Sequence, residues 1–208
     1  IDVNICNTNK YSALSLAVHL GYTICISTLY KCFANTLKYD LLDLNNHNLL
    51  LLAVLSDKPN ALRMLHTLYG DKLDVNFTDG DNNTILLITA QKNLVHCLTA
   101  LCSCYREKLQ FDNVDENNNN ILMIAVQKNF TNYIKALSNN EYASNKVNIN
   151  AVNIKKHNAI MIACYYGHSD CIATLYNCYG DKININAIDD NKQNALMIAA
   201  QQNKPECV

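Results

Sequence analysis

Short apolar blocks recur at nearly constant intervals along the chain. From one block to the next, the second apolar residue advances by 36 residues, except for one interval of 38. Repetition at such a period predicts an array of similar structural units rather than one unrepeated core. These second apolar residues are Leu14, Leu50, Leu86, Leu122, Ile160 and Leu196.

The residue directly before each block is of a type that caps helix N-termini, because its side chain accepts a hydrogen bond from a free backbone N–H. A small residue recurs within each block, and it would let helices of neighbouring repeats approach closely. The predicted caps are Ser12, Asn48, Thr84, Asn120, Asn158 and Asn194, and the small residues are Ala17, Ala53, Thr89, Ala125, Ala163 and Ala199.

Each block ends at Gly, Asn or Asp. Gly and Asn adopt the left-handed conformation that stops a helix, and Asp does so less readily. A second segment with helical spacing follows each corner, for example Cys171, Ile172, Leu175 and Tyr176. We therefore predict two helices joined by a tight corner in every repeat. The corner residues are Gly21, Asp57, Asn93, Asn129, Gly167 and Asn203.

Two columns of Asn and Asp precede each apolar block. These side chains bond neighbouring backbone groups and tolerate tight turns, so they predict a turn in fixed register with each block. The first column is Asn4, Asp40, Asn76, Asp112, Asn150 and Asn186, and the second is Asn7, Asp43, Asp79, Asp115, Asn153 and Asp189.

This combination resembles the ankyrin repeat, in which a β-turn finger precedes two antiparallel helices. The resemblance rests on the turn (Val75-Asn76 to Asp79), the capped block and the Gly167-His168 corner. The signature Pro and His of the first helix are absent, and the period is about 36 residues rather than ~33. The resemblance implies an all-α, ankyrin-type α-solenoid of helix-turn-helix repeats with β-turn finger loops. We expect the extra residues, such as 68–72, to lengthen the end of the second helix or the corner that follows it, with the stacking of the repeats intact.

Two other repeat folds fit the pattern less well. Tetratricopeptide repeats have a period of ~34 residues but lack a turn rich in Asn and Asp before the first helix. Parallel β-helices require alternating strands, which these blocks do not predict. We expect a single array over residues 1–208, with units at approximately 4–39, 40–75, 76–111, 112–149, 150–185 and 186–208, the last one partial. Neither end carries a polar capping unit, so we expect a fragment of a longer protein with flanking repeats or domains.

Charge and hydropathy disfavour two classes of partner. The net charge is −1 and the isoelectric point is near 6.6, whereas nucleic-acid binders usually show a basic footprint. The longest apolar run, Leu49–Leu55, is far shorter than the ~18 residues that a membrane span needs. We therefore predict neither nucleic-acid binding nor membrane insertion.

The ten cysteines are distributed in a way that favours buried thiols. Cys25, Cys97, Cys171 and Cys207 share one column of the second helix, which we predict to face the core. Free Cys behaves as a small buried hydrophobe, and many free thiols suit a reducing compartment, so we predict a cytoplasmic protein. The cluster around His96 lacks the paired spacing of a zinc site, and we predict no metal and no cofactor. No catalytic motif is present, which predicts a non-enzymatic protein.

The resemblance implies where a partner protein would bind: on the concave face made by the finger tips and the exposed side of the first helices. Tyr165 and Tyr166 are the strongest candidates, since Tyr is enriched in binding hot spots; the alternative is that one ring packs on a neighbouring helix. The finger-tip candidates are Tyr11, Asn45, His47, Asp81, Asn83, Asn117, Asn119, Lys155, His157, Asn191 and Gln193. The helix candidates are His19, Leu20, Leu55, Ser56, Gln91, Lys92, Gln127, Lys128, Tyr165, Tyr166, Gln201 and Gln202.

The resemblance implies a non-enzymatic scaffold that binds a protein partner, and in intracellular microbes such proteins often act on host proteins. Two alternatives remain open. The array could be a structural spacer or self-packing array attached to a catalytic or channel domain outside these residues. It could also be a modification substrate, with Asn76 as the closest match to the turn Asn that is hydroxylated in the family.

Overall fold

The computed structural model describes residues 1–208. It is helical, without a β-strand, and its only β-type pairing is an isolated bridge between Thr78 and Thr84. The α-helices are α1 (Ala13–Leu20), α2 (Thr23–Phe33), α3 (Leu49–Leu55), α4 (Pro59–Tyr69), α5 (Ile85–Gln91), α6 (Val95–Tyr105), α7 (Ile121–Gln127), α8 (Thr131–Asn139), α9 (Glu141–Lys146), α10 (Ala159–Tyr166), α11 (Ser169–Tyr179) and α12 (Ala195–Gln201).

The helices form pairs as the apolar blocks predict: α1 packs on α2, α3 on α4, α7 on α8, and α10 on α11. The chain divides into two compact units, which we call unit 1 (Ile1–Thr89 with His96–Gln110) and unit 2 (Ala90–Val95 with Phe111–Val208). In unit 1, α1 packs on α3 and α2 packs on α4. In unit 2, α7 packs on α10, α8 on α11, and α10 on α12.

All six predicted N-caps are confirmed. Each cap side chain accepts a hydrogen bond from the backbone N–H three residues later, as Asn48 Oδ1 does from Leu51 N at 2.8 Å. Three of the Asn caps make a second bond through the amide nitrogen, an atom that Ser and Thr lack. Their Nδ2 atoms donate to the backbone carbonyl oxygens of Asp74, Asn148 and Asn184. The Asn caps therefore fix both the helix start and the chain that leads into the next repeat.

The predicted corners are also confirmed, because all six corner residues have positive φ angles between 51° and 80°. A Cβ atom at Gly167 would lie 2.7 Å from Cδ of Lys204, so at this corner a neighbouring side chain also favours Gly. Two of the other corners are bonded by the cysteine column. Cys97 Sγ donates to Asp57 Oδ1 at 3.4 Å, and Cys171 Sγ donates to Asn129 Oδ1 at 3.2 Å.

The second Asn/Asp column organises every finger. In each repeat its Oδ1 atom accepts two backbone N–H bonds, from the residues two and four positions later. The residue at the finger tip, three positions later, always has φ between 58° and 61°. The predicted turn is thus a loop closed around one side-chain oxygen. The tip residues are Lys10, Asn46, Asn82, Asn118, Lys156 and Lys192.

Side chains of the first Asn/Asp column bond backbone groups that lie far from them in sequence, beyond the local turn. Asn150 Nδ2 donates to the backbone oxygen of Lys182 at 2.8 Å, and its Oδ1 accepts from the backbone N–H of Asn184 at 2.8 Å. Asn4 and Asn76 make the same pair of bonds to residues 32 and 34 positions later. These Asn side chains therefore clip the start of a repeat to the segment that begins the next one.

The residues beyond the usual period form the lengthened helix end that the sequence predicts. A single 3-10 turn follows the second helix at Gly70–Lys72, Arg106–Lys108 and Gly180–Lys182. The fourth repeat carries α9 at this place, which accounts for the one interval of 38 residues. The partial sixth repeat ends in a 3-10 turn, Pro205–Cys207, where a second helix was expected.

The predicted core is confirmed in the interior repeats and differs at the two ends. Leu50, Leu86, Leu122 and Ile160 are buried, whereas the corresponding Leu196 is 53% exposed. In the cysteine column, Cys97 and Cys171 are buried, but Cys25 is exposed and Cys207 is half-buried. The prediction of a buried Cys25 is wrong, because among residues 1–208 no earlier corner covers it as Asn129 covers Cys171.

We predict that Asn150→Ala lowers the free energy of unfolding by about 1 kcal/mol, since it removes two hydrogen bonds from exposed groups. Asn150→Asp should cost at least as much, because it keeps the acceptor of the Asn184 N–H but sets a carboxylate oxygen against the Lys182 carbonyl oxygen. Chemical denaturation followed by circular dichroism measures both. Asn186→Ala is the matched control, because Asn186 occupies the same column and makes no side-chain clip. Equal destabilisation by Asn150→Ala and Asn186→Ala would contradict the clip.

Candidate functional site

Two adjacent pockets lie at the fingers of unit 2, beside the ends of the first helices. The first has a volume of about 150 Å³ and the second a volume of about 440 Å³. Four residues line both of them, so we treat them as one surface and call it the Tyr165 groove. Its shared residues are Ile154, Lys155, His157 and Tyr165. Asn117, Gln127 and Tyr166 belong to the first pocket, and Asn191, Gln201 and Gln202 to the second.

The finger of the fifth repeat is fixed to that of the fourth by Asn153. Its Oδ1 accepts the backbone N–H groups of Lys155 and His157, both at 3.0 Å. Its Nδ2 donates to Asn119 Oδ1 at 3.1 Å. The backbone N–H of Ile154 also donates to Asn117 O at 3.0 Å. The finger tips that border the groove are therefore held by side chains and by a direct backbone bond.

His157 and Asn119 have a different role from the one predicted. His157 is 9% exposed and Asn119 is 4% exposed, so neither offers a free surface to a partner. His157 Nε2 lies 3.6 Å from Asp189 Oδ2 in the next finger. Burial lowers the pKa of His157, and the nearby Asp189 only partly opposes this effect. The backbone N–H of Gln193 holds the pKa of Asp189 below its usual value. These side chains position the fingers.

Tyr165 and Tyr166 meet edge to face, with ring centroids 5.2 Å apart. Tyr165 is half-buried, and the ammonium of Lys155 lies 5.4 Å from its ring centroid. Tyr166 is 44% exposed and stacks on His168 at 5.7 Å, and its hydroxyl oxygen accepts a bond from Gln127 Nε2 at 3.1 Å. Both tyrosines are thus ordered by their neighbours, and Tyr166 keeps a large part of its ring exposed.

His168 has a structural role at its corner. Its Nδ1–H donates to the backbone oxygen of Val126 at 2.9 Å, which ties the corner of the fifth repeat to α7. This bond also fixes the imidazole ring on which Tyr166 stacks. The orientation of the exposed tyrosine therefore depends on this corner histidine.

On the sixth-repeat side of the groove, the polar candidates bond to each other. Gln193 Nε2 donates to Gln201 Oε1 at 2.9 Å, which connects the finger to α12. Asn191 and Gln201 are exposed, and Gln202 is half-buried. Lys92 and Lys128, at the ends of α5 and α7, are exposed, and Gln91 is half-buried.

The candidates in unit 1 form separate pairs and do not line a shared pocket with the groove residues. Ser56 Oγ lies 2.7 Å from His19 Nδ1, and His19 packs on Tyr11 with ring centroids 5.4 Å apart. His47 Nδ1 lies 2.9 Å from Asp43 Oδ2. Asn83 donates to Asp79. Asn45, Asp81 and Leu20 are exposed, and Leu55 is half-buried.

The structure contains no group of three or more His, Cys, Asp and Glu side chains arranged to hold a metal ion. All ten cysteines are free thiols. Burial raises the pKa of Cys97 and Cys102 to about 12 and that of Cys164 and Cys171 to about 11. None of the helices is both long enough and apolar enough to cross a membrane.

Helix pairs with capped fingers, repeated along the chain, define a helix-turn-helix repeat protein. A family model for ankyrin repeats, in three copies, matches residues 50–151 and 140–208. The chain therefore belongs to the ankyrin-repeat family, as the resemblance of its sequence implied. Ankyrin repeats generally mediate protein–protein interaction, and the fold is typically a non-catalytic module.

Solved ankyrin-repeat structures share the fold at low sequence identity. The ankyrin repeat domain of Bcl-3, a member of the IkappaB family, superposes with a TM-score of 0.79 at 20% identity, over 95% of this chain and 83% of that chain. An ankyrin repeat domain (ABAYE2397) from Acinetobacter baumannii AYE gives 0.72 at 18% identity, over 93% of both chains.

A third match is a chain in the structure of the Bd0816 predatory endopeptidase from Bdellovibrio bacteriovorus in complex with immunity protein Bd3460. The TM-score is 0.68 at 17% identity, over 98% of this chain and 96% of that chain. At these identities the similarity shows the fold alone. No curated protein matches this sequence.

We predict that the ten thiols separate by labelling rate in the native protein at pH 8. Exposed Cys6, Cys25 and Cys32 should react rapidly with iodoacetamide, whereas the four buried cysteines with raised pKa values should react only after unfolding, because thiolate is the nucleophile. Peptide mass spectrometry over a time course identifies the labelled sites. Rapid labelling of Cys97 or Cys171 would contradict their packing against the corner residues.

Proposed function

We propose that the Tyr165 groove binds a partner protein and that the chain is a non-enzymatic interaction scaffold. The observation that carries the proposal is the ordered pair Tyr165–Tyr166 at the groove, with Tyr166 still 44% exposed. Aromatic side chains supply large contact areas in interfaces and dominate their binding energy. A pair held in place by neighbouring residues loses little conformational entropy when a partner binds.

The surroundings of this pair also suit a protein ligand. Fingers of three successive repeats border the groove, and they are joined by the bonds of Asn153 and by the His157–Asp189 contact. Amide side chains at Asn117, Asn191 and Gln201 offer both donors and acceptors at its rim. A rigid surface with aromatic centre and polar rim is the usual anatomy of a protein interface. This location corresponds to the concave-face candidates of unit 2.

The proposal includes a reducing compartment, which the ten unpaired thiols favour. It is consistent with the general role of ankyrin repeats in protein–protein interaction. A chain of similar fold also occurs in the complex of Bd0816 with immunity protein Bd3460.

Peptides selected from a random display library on the immobilised chain test the proposal. The change Tyr165→Ala with Tyr166→Ala should weaken the selected binders at least tenfold in fluorescence polarisation, because it removes the aromatic centre of the interface. Tyr176→Ala is the matched control, since Tyr176 is 64% exposed on α11 and lines neither pocket of the groove. Binders that tolerate the double change but lose affinity with Tyr176→Ala would place the interface elsewhere.

A further inference from the structure

The lining of the first pocket of the Tyr165 groove contains a positively charged side chain and no negatively charged one. Ten residues line its volume of about 150 Å³, and none of them is Asp or Glu. Lys155 is the cationic side chain among them, because the histidine of the pocket, His157, has a pKa lowered by burial. The polar lining otherwise consists of amides and the two tyrosine hydroxyls. The pocket therefore presents a single positive charge that no lining residue balances.

Lys155 is exposed and has no carboxylate partner within the chain. The carboxylates that lie within 4.0 Å of a basic side-chain nitrogen are those of Asp43, Asp71 and Asp189, and their partners are His47, Lys108 and His157. Asp189, which lines the second pocket, is buried and already accepts the backbone N–H groups of Asn191 and Gln193. Asp115, beneath the fourth finger, likewise already accepts the backbone N–H groups of Asn117 and Asn119. The Lys155 ammonium is instead held 5.4 Å from the Tyr165 ring centroid, which orders the charge without neutralising it.

Hydrogen-bond donors accompany this charge. The Tyr165 hydroxyl makes no hydrogen bond within the chain and belongs to the pocket lining. The Lys155 ammonium supplies up to three N–H donors. The amide of Gln127, by contrast, is engaged with Tyr166. An ammonium and a phenol beside one small polar pocket form a donor set that suits the two oxygens of a carboxylate.

We propose that the first pocket of the groove receives an aspartate or glutamate side chain of the partner protein, with Lys155 as its counter-charge. This inference rests on the proposed protein-binding function and specifies the partner's chemistry. One lysine matches the single charge of a carboxylate. Asp190, which lines the second pocket, disfavours an acidic side chain there, so the carboxylate is directed to the first pocket.

The same display selection tests this chemistry. Peptides enriched on the immobilised 208-residue chain should carry Asp or Glu at one position more often than the unselected library. A synthetic peptide of the best sequence and its variant with Gln in place of Glu (or Asn in place of Asp) are then compared by fluorescence polarisation. We expect the acidic peptide to bind about fivefold to tenfold more tightly at low salt, and the difference to shrink as salt screens the pair.

Lys155→Met removes the charge and keeps an apolar stem beside Tyr165. It should weaken binding of the acidic peptide by the same factor and leave the affinity of the amide peptide unchanged. The double-mutant cycle then assigns the whole difference to the pair of Lys155 and the peptide carboxylate. Lys156→Met is the matched control, because Lys156 is the exposed neighbour in the same finger but does not line the pocket. It should leave the affinity of both peptides unchanged.

The outcomes separate the two proposals. Binders that need Tyr165 and Tyr166 but carry no excess of acidic residues, or that are insensitive to Lys155→Met, would overturn the carboxylate pocket and leave the protein-binding function in place. A selection that yields no binder dependent on the tyrosine pair would overturn the proposed function itself, and the carboxylate pocket with it.

Discussion

In every finger, one side-chain oxygen accepts two backbone N–H bonds, and the geometry of the repeat depends on this interaction. Asn153 shows what it achieves: its Oδ1 closes the finger by bonding Lys155 and His157, and this leaves its Nδ2 free to reach Asn119 in the neighbouring finger. Backbone polar groups in a loop must find partners. Because the side chain supplies them locally, the finger needs no sheet, and the chain places a new helix start in the same register each time.

The capping residues extend this principle from the finger to the helices. Asn158 accepts the N–H of Met161 and donates to Asn184 O at 2.9 Å, so one side chain starts a helix and fixes the start of the following repeat. Asn150, on the other side of the finger, likewise bonds backbone groups of Lys182 and Asn184 at the start of the following repeat. The frequent use of Asn at these positions thus has a structural reason. Its amide has a donor, Nδ2, and an acceptor, Oδ1, on separate atoms, whereas an ionised Asp only accepts and Ser and Thr have one hydroxyl.

Much of the fold was predictable from sequence because capping, corner and turn residues act locally. The left-handed conformation of Asn129 and Gly167 and the N-cap bond of Asn120 follow from residue chemistry alone. Other features depend on neighbours that a sequence does not display. Lys156 has a φ of 58° although lysine has no preference for it, because the finger closes around Asn153. Cys171 bonds the corner at Asn129, a contact between repeats that its apolar column does not reveal.

The candidate site shows the same division between local and tertiary information. The resemblance to ankyrin repeats implied that Tyr165 and Tyr166 contact a partner, and this stays a prediction. In the structure both residues line the first pocket, and Tyr166 is the more exposed. Periodicity could not show that His157 is buried, because its burial follows from Asp189 in the next finger. Nor could it show that Lys155 lies over the ring of Tyr165 without an acidic partner. The repeated positions build a nearly constant frame, and the surface differs from repeat to repeat through residues such as Lys155 that this frame does not require.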